Sequence, residues 1–345
     1  MHGALRGYSS GMEHISLKRV ALVASLLAPA CASEPRLQPE PEVNAIQVAL
    51  VERGRYLATH AAVCANCHTP KDAAGEHDHT RELSGADCYI DVIPQDPNAG
   101  CLSTANLTNH ETGLKNRSDR EIADLITRGV RPDGKALHPF MPYPYFANLR
   151  EEDVSAIIAY LRTVPGIERT AAPSQPPFLA PPQPAPAIEA SSFPMPSEAY
   201  PERGAALRGR YLATSVSVCV SCHTPRDNGQ LALNKAFQGG LSFKREAGLP
   251  SSYPEVVYSS NITPHATGIA GYSVEQLVRV LKHGVDRNGR GICEPMPVGP
   301  KGVYSGLSDG DAQDIAHYLL SLPALDNTVP NGCDTAPPGG EHASR

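Results

Sequence analysis

Residues 53–72 read RGRYLATHAAVCANCHTPKD, and residues 208–227 read RGRYLATSVSVCVSCHTPRD, 155 positions later. Matching residues continue downstream, and the offset becomes 158 near the end, where Tyr160-Leu161 corresponds to Tyr318-Leu319. A period this long indicates duplication of a whole domain, since solenoid repeats are shorter. We therefore predict two tandem domains, 46–166 and 201–326, called here the first half and the second half.

The local patterns within each half are helical. Ser118-x-x-Glu121 and Ser273-x-x-Gln276 are capping boxes, and each precedes an amphipathic run that ends at a glycine. Further helices are expected over 53–62, 208–218 and 151–162, and from Ser308 onward. Little in the sequence favours strands, so the predicted fold class is all-α.

Each half contains one C-x-x-C-H motif, Cys64-Ala65-Asn66-Cys67-His68 and Cys219-Val220-Ser221-Cys222-His223. This spacing is the signature of covalent c-type haem attachment, with Cys64, Cys67, Cys219 and Cys222 as the attachment residues and His68 and His223 as iron ligands. On one helical turn, two thiols reach two vinyl groups and the adjacent imidazole points at the iron. A thioredoxin-like pair would require a βαβ setting, and a zinc site would require further Cys or His pairs. We therefore predict two covalently bound haem c groups.

The sixth iron ligand is predicted to be methionine in both halves. Met141 and Met296 each lie 73 residues after the motif histidine, and each precedes a proline. A core-filling methionine is the usual alternative for such a residue. His110 and His265, which also correspond between the halves, are the rival ligands, although their Asn-x-Thr-x-His turns favour a solvated role. His77-Asp78-His79 is a possible metal-binding run, for which a solvated loop is the preferred interpretation.

These motifs identify a resemblance. Each half resembles a small cytochrome c domain, and the tandem arrangement with GRYLA, CHTP, N-[LI]-T-x-x-x-T-G and Met-Pro resembles the cytochrome c subunits of bacterial membrane-associated alcohol and gluconate dehydrogenases. The resemblance implies two cytochrome c-like domains joined by a proline-rich linker. It also implies that Asn106 and Asn261 face the haem edge or propionates, whereas a purely structural turn role is the alternative. Family members commonly carry three haems, and this chain has two motifs.

The oxidation state of the five cysteines outside the motifs is predicted from the compartment in which the protein is expected to act. In an oxidising compartment spare thiols pair, so Cys88–Cys101 and Cys293–Cys333 are predicted disulfides; free buried thiols are the alternative. Cys31, the ninth cysteine, follows an apolar run and a small residue, which is compatible with lipidation.

The N-terminal region is predicted to direct export. Lys18-Arg19 precedes an apolar run of about eleven residues and small residues follow, so 1–31 reads as a signal peptide ending at Cys31. Simple cleavage nearby is the alternative to lipidation, and Met12 is an alternative start to Met1. Residues 32–45 are the expected tether.

Composition supports the remaining assignments. The chain of 345 residues has 33 prolines, many of them in the predicted linker 167–200, which should be extended. Whether it spaces the halves or lies against them is open. Residues 327–345 form the expected tail. A net charge of −6 argues against nucleic-acid binding.

The predicted function is electron transfer without an organic substrate of the chain's own. It would act in the periplasm as a dihaem carrier, or as a subunit of a dehydrogenase or respiratory complex. The expected partners are a dehydrogenase, a quinol-linked enzyme or a terminal respiratory enzyme, with membrane contact through the lipid anchor. A dihaem peroxidase-like enzyme is the alternative in another class, and a structural or sensing haem protein is the third.

Overall fold

The computed structural model describes residues 41–72, 76–91, 100–176, 178–244 and 254–330. The predicted signal peptide with Cys31, most of the tether and Cys333 lie outside the described residues. The described residues from Pro41 onward form one compact unit. No helix among the described residues is long and apolar enough to cross a membrane.

The described residues are mostly helical, as predicted. In the first half the helices are α1 (Pro41–Tyr56), α2 (Cys64–His68), α3 (Asp119–Arg128), α4 (Tyr143–Phe146) and α5 (Glu151–Leu161). In the second half they are α6 (Arg203–Tyr211), α7 (Cys219–His223), α8 (Val274–His283) and α9 (Asp309–Leu320). Helix α1 begins five residues before the predicted start of the first half.

The predicted capping boxes open α3 and α8. The hydroxyl of Ser118 accepts from the backbone N–H of Glu121, and the hydroxyl of Ser273 accepts from that of Gln276. Each helix then ends at a glycine with left-handed backbone, Gly129 (φ 62°) or Gly284 (φ 64°). The local sequence alone therefore determines where α3 and α8 begin and end.

Short antiparallel hairpins interrupt the helical pattern. They pair β1 (Ile90–Asp91) with β2 (Cys101–Leu102), β3 (Arg226–Asp227) with β4 (Gln230–Leu231), and β5 (Ser242–Lys244) with β6 (Val256–Tyr258). The sequence does not predict these strands, because runs of two or three residues are too short to show a two-residue period.

The first and last helices of each half pack directly on each other at a glycine. A Cβ added to Gly54 of α1 would lie 1.8 Å from the backbone oxygen of Ala156 in α5. A Cβ added to Gly209 of α6 would lie 1.8 Å from the backbone oxygen of Asp314 in α9. Only glycine permits this approach, so the same crossing recurs in both halves.

The two halves share one hydrophobic core and exchange a tyrosine contact. The hydroxyl of Tyr56 donates to Asp311 Oδ2 (2.6 Å), and the corresponding Tyr211 donates to Asp153 Oδ2 (2.7 Å). Each tyrosine oxygen also accepts from a backbone N–H at the start of the other half's last helix, that of Ser308 or Arg150. Each half therefore supports the helix start of the other.

The proline-rich segment lies against both halves. The backbone N–H of Ile188 donates to the oxygen of Pro144 in the first half (2.9 Å). Beyond it, the oxygen of Pro194 accepts from Tyr318 of the second half (2.9 Å), and Phe193 is buried. Of the two arrangements left open by the sequence, the segment adopts the packed one.

Candidate functional site

Each C-x-x-C-H motif forms one helical turn, and the segment before it has an unusual backbone conformation. The chain leaves α1 through a π-helical turn (Leu57–Ala61) and leaves α6 through another (Leu212–Val216). The next valines, Val63 (φ 52°) and Val218 (φ 44°), have left-handed backbone, which a β-branched residue rarely adopts. Such strain and π-helical turns concentrate at functional sites.

The motif histidines are oriented identically. His68 and His223 are buried, and each Nδ1 lies 2.8 Å from a backbone oxygen, that of Ala105 or Ser260. Because a carbonyl oxygen only accepts, Nδ1 carries the proton and Nε2 keeps its lone pair. This is the arrangement that a second hydrogen bond imposes on a metal-binding histidine.

Burial keeps both histidines neutral. It lowers the pKa of His68 and of His223, and the backbone hydrogen bond opposes this shift without overcoming it. A neutral imidazole is the form that binds iron.

None of the four motif cysteines is disulfide-bonded, which is the state required before haem attachment. Burial, followed by the neighbouring motif thiol, raises the pKa of Cys64 to about 12, and that of Cys219 likewise. Thioredoxin-like redox pairs use a thiolate, which a raised pKa disfavours. The described residues also contain no cluster of three or more His, Cys, Asp or Glu that could hold a metal ion.

Met141 and Met296 occupy equivalent loops and pack against the core. Each methionine N–H donates to the oxygen three residues earlier, that of His138 (3.1 Å) or Cys293 (3.3 Å). Each methionine oxygen accepts from the N–H two residues later, at 2.7 and 2.8 Å. Matching backbone hydrogen bonds therefore flank the two methionines.

His110 and His265, the alternative iron ligands, form hydrogen bonds within their own turns. His110 Nδ1 accepts from the N–H of Thr112, and His265 Nδ1 accepts from that of Thr267, both at 3.2 Å. This local bonding supports the solvated-turn interpretation.

The Asn-Thr turns hold the chain that follows each last helix. Asn106 Nδ2 donates to the oxygen of Ile167, and Asn261 Nδ2 donates to that of Leu325, both at 2.8 Å. Each Oδ1 accepts from the threonine two residues later. These contacts assign the asparagines a structural role in the described residues, so the haem-facing role is not needed to explain them.

The His77-Asp78-His79 run is committed to local contacts. His77 Nε2 donates to the oxygen of Asn66 (3.0 Å), and Asp78 accepts from the N–H of Thr80. The three side chains therefore do not form a ligand set.

Cys88 and Cys101 form a disulfide with Cα atoms 4.7 Å apart. Cys293 is also disulfide-bonded. Cys333, its predicted partner, lies outside the described residues.

The residues present fit two haem c groups: each half supplies two thiols, a neutral histidine with Nε2 available and a methionine. The sequence alone does not predict the left-handed backbone of Val63 and Val218 or the roles of Tyr56 and Tyr211. The tyrosines stand in the GRYLA string of both halves, so the signal was present, but its meaning depends on contacts between halves.

Comparisons with known proteins agree with this geometry. Residues 51–165 match the family model for cytochrome c. The chain is 31% identical over 301 residues to the fructose dehydrogenase cytochrome subunit of Gluconobacter japonicus, an alignment that covers 84% of this chain and 56% of that protein. It is 28% identical over 299 residues to the alcohol dehydrogenase (quinone) cytochrome c subunit of Gluconacetobacter polyoxogenes, covering 80% and 57%.

A third relative has a similar length. The diheme cytochrome c-type protein of Cereibacter sphaeroides is 25% identical over 301 residues, covering 84% of this chain and 92% of that protein. By contrast, the chain spans little more than half the length of the two dehydrogenase subunits. Residues 51–165 are thus a cytochrome c domain, within a chain similar to the cytochrome c subunits of dehydrogenases.

Proposed function

We propose that this chain is an exported dihaem c-type cytochrome that carries electrons, with one haem c in each half. The observation that carries the proposal is the repeated site: in both halves a C-x-x-C-H turn presents a buried, neutral histidine whose Nδ1 is bonded to a backbone oxygen. The match to the cytochrome c model over 51–165 supports the assignment for the first half. Equivalent geometry extends it to the second half.

Each side chain has a defined role in this proposal. Cys64 and Cys67, and Cys219 and Cys222, attach the two groups. His68 and His223 are the proximal ligands, with their rings fixed by the Nδ1 hydrogen bonds. A bound haem c supplies an Fe(III)/Fe(II) couple, and ligation by histidine and methionine raises its potential.

Met141 and Met296 favour a carrier over an enzyme. A peroxidase needs an iron face open to peroxide with an acid–base group beside it. Here both methionine loops have the same backbone hydrogen bonds, which supports two iron sites closed by protein ligands. A peroxidase-like dihaem enzyme would treat its two sites unequally.

The proposed setting is the periplasm, with a dehydrogenase, a quinol-linked enzyme or a terminal respiratory enzyme as partner. The relatives that are named as cytochrome subunits of fructose and alcohol dehydrogenases support a dehydrogenase partner. Export through 1–31, with lipidation of Cys31, would hold the protein at a membrane surface. An unmodified mature N-terminus beyond Cys31, on a protein released from membranes by salt, would contradict the anchor.

Spectroscopy tests the cofactors and ligands. The purified chain should contain two covalently bound haems, both low-spin, with a weak long-wavelength sulfur-to-iron band in the oxidised form. Met141→His and Met296→His should each remove about half of that band and lower one potential, since histidine replaces a ligand that raises it. A band unchanged in both variants would assign the sixth ligand to another residue.

Peroxide turnover separates the two functional classes. The pre-reduced protein should exchange electrons rapidly with small redox proteins and turn over negligible peroxide. Sustained turnover, with one haem becoming high-spin in the half-reduced form, would overturn the carrier assignment.

A further inference from the structure

The two haem-attachment motifs adjoin at the boundary between the halves. The hydroxyl of Ser217 donates to the backbone oxygen of Ala61 at 2.9 Å, and both atoms are buried. Ser217 lies two residues before Cys219, and Ala61 lies three residues before Cys64. This one hydrogen bond therefore ties together the approaches to both motifs.

Tyr304 extends that connection into the methionine loop region of the second half. Its side chain is 4% exposed, and its hydroxyl donates to the backbone oxygen of Ser217 at 2.7 Å. Burial raises the pKa of Tyr304 well above its ordinary value. The phenol therefore keeps its proton and remains a donor, close to thiols of both motifs.

Residues at the equivalent positions of the first half do not repeat this connection. At the offsets that relate the halves, Phe146 corresponds to Tyr304 and Ala62 corresponds to Ser217. Both counterparts are buried, but neither carries a hydroxyl. The hydrogen-bonded link from Tyr304 through Ser217 to Ala61 is therefore absent at these equivalent positions of the first half, although the side chains there are buried as well.

We propose that Tyr304 is a positioning residue that, through Ser217 and Ala61, fixes the two haem-attachment motifs relative to each other and so sets the interaction between the two haems. The proposal rests on the proposed function, because it requires both haems to be present. Its physical basis is that a buried hydrogen bond has a directional preference, whereas the apolar packing around it does not. Without these hydrogen bonds, the distance between the two motifs can vary. That distance determines the separation of the two potentials and the rate of electron exchange between the haems.

Tyr304→Phe is the direct test, because it places in the second half the residue that the first half already buries. Ser217→Ala likewise installs the counterpart Ala62, and breaks the link to Ala61 while leaving Tyr304 intact. Tyr318→Phe is the matched control. Tyr318 is fully buried in the same half, and its hydroxyl donates to the backbone oxygen of Pro194 (2.9 Å) rather than to that of Ser217.

Three readouts are measured on the haem-loaded protein: the haem content, the two midpoint potentials by redox titration, and the exchange rate between the haems after flash reduction. All three variants should keep two haems. Tyr304→Phe and Ser217→Ala should change the separation of the two potentials and slow electron exchange between the haems severalfold relative to the unmodified protein. Tyr318→Phe should match the unmodified protein in both.

The outcomes are distinguishable. Unchanged potentials and exchange in Tyr304→Phe, or a change equal to that of Tyr318→Phe, would overturn the positioning role. A change in Ser217→Ala alone would overturn it for Tyr304. Fewer than two haems in the unmodified protein would instead refute the proposed function.

Discussion

In the first half, one carboxylate accepts both from an arginine of its own half and from a tyrosine of the other half. In the second half, two different carboxylates accept these two contacts. Asp153 accepts from Arg53 Nε at 2.8 Å within its own half and from Tyr211 of the other half at 2.7 Å. In the second half, Asp314 accepts from Arg208 within the half, and Asp311, one helical turn earlier, accepts from Tyr56 across the boundary.

This difference shows how the contact within a half is coupled to the contact between the halves. In the first half the packing of α1 on α5 and the contact between halves share one acceptor, so neither can be lost alone. In the second half they are separable. The exposure of the arginines differs as well, since the Arg53 side chain is 38% exposed and that of Arg208 is 63% exposed.

Replacing Asp153 should therefore have the largest effect among these carboxylates. Asp153→Ala leaves a partly buried guanidinium and a phenol without their acceptor, and should lower the free energy of unfolding by about 2–3 kcal/mol, because it removes a screened ion pair together with a hydrogen bond to a charged group. Denaturant unfolding of the haem-loaded protein measures this.

The second half supplies the controls. Asp314→Ala should cost about 1 kcal/mol, because Arg208 is largely solvated, and Asp311→Ala should cost about 1 kcal/mol, one net hydrogen bond. If Asp153→Ala costs no more than either single variant, the shared acceptor is not the coupling element.

The glycine crossings should behave alike in both halves. Gly54→Ala and Gly209→Ala each place a Cβ 1.8 Å from a backbone oxygen of the facing helix. The helices must separate, at a cost of about 3 kcal/mol, the upper part of the overpacking range. Thermal and denaturant unfolding measure the loss.

Gly204→Ala is the matched control for these variants. Gly204 lies in α6 with no atom within 4 Å of an added Cβ. It should be neutral or more stable by up to about 1 kcal/mol, since alanine is the better helix former. Equal tolerance of all three substitutions would contradict the close crossing.

The smallest expected effect is a pH dependence from the exchanged tyrosines. Burial, then the hydrogen bond to Asp311, raises the pKa of Tyr56 to about 12, and burial raises that of Tyr211 as well. Because the folded pKa lies above the unfolded value, the neutral phenol stabilises the fold below pH 10, and this contribution is lost as the pH rises from 10 to 12.

Tyr56→Phe should reduce, by about 1 kcal/mol, the decrease in the free energy of unfolding between pH 10 and pH 12. The measurement is the free energy of unfolding at several pH values from 8 to 12. Tyr211→Phe should act in the same direction. A loss equally steep in both variants would show that other groups control alkaline stability.

Sequence reasoning reached the features that depend on local chemistry. Capping boxes at Ser118 and Ser273 signal helix starts because a side chain three residues away completes them. The C-x-x-C-H spacing likewise contains its own geometry within one helical turn.

The features it missed depend on distant partners. Nothing near Val63 predicts left-handed backbone, which local preference opposes. Tyr56 lies 255 residues from Asp311, so only the folded chain shows why that tyrosine occurs in both halves.

The tyrosine exchange has the form of an isologous interface, in which one surface meets its own equivalent. An ancestral protein consisting of one such repeat, with the tyrosine on its first helix and the carboxylate on its last, would carry both sides of the contact on a single face. Two copies of it could associate as a symmetric dimer. Joining the copies in one polypeptide makes that association independent of protein concentration. It also frees each side to diverge, as Asp153 and the Asp311–Asp314 pair have done.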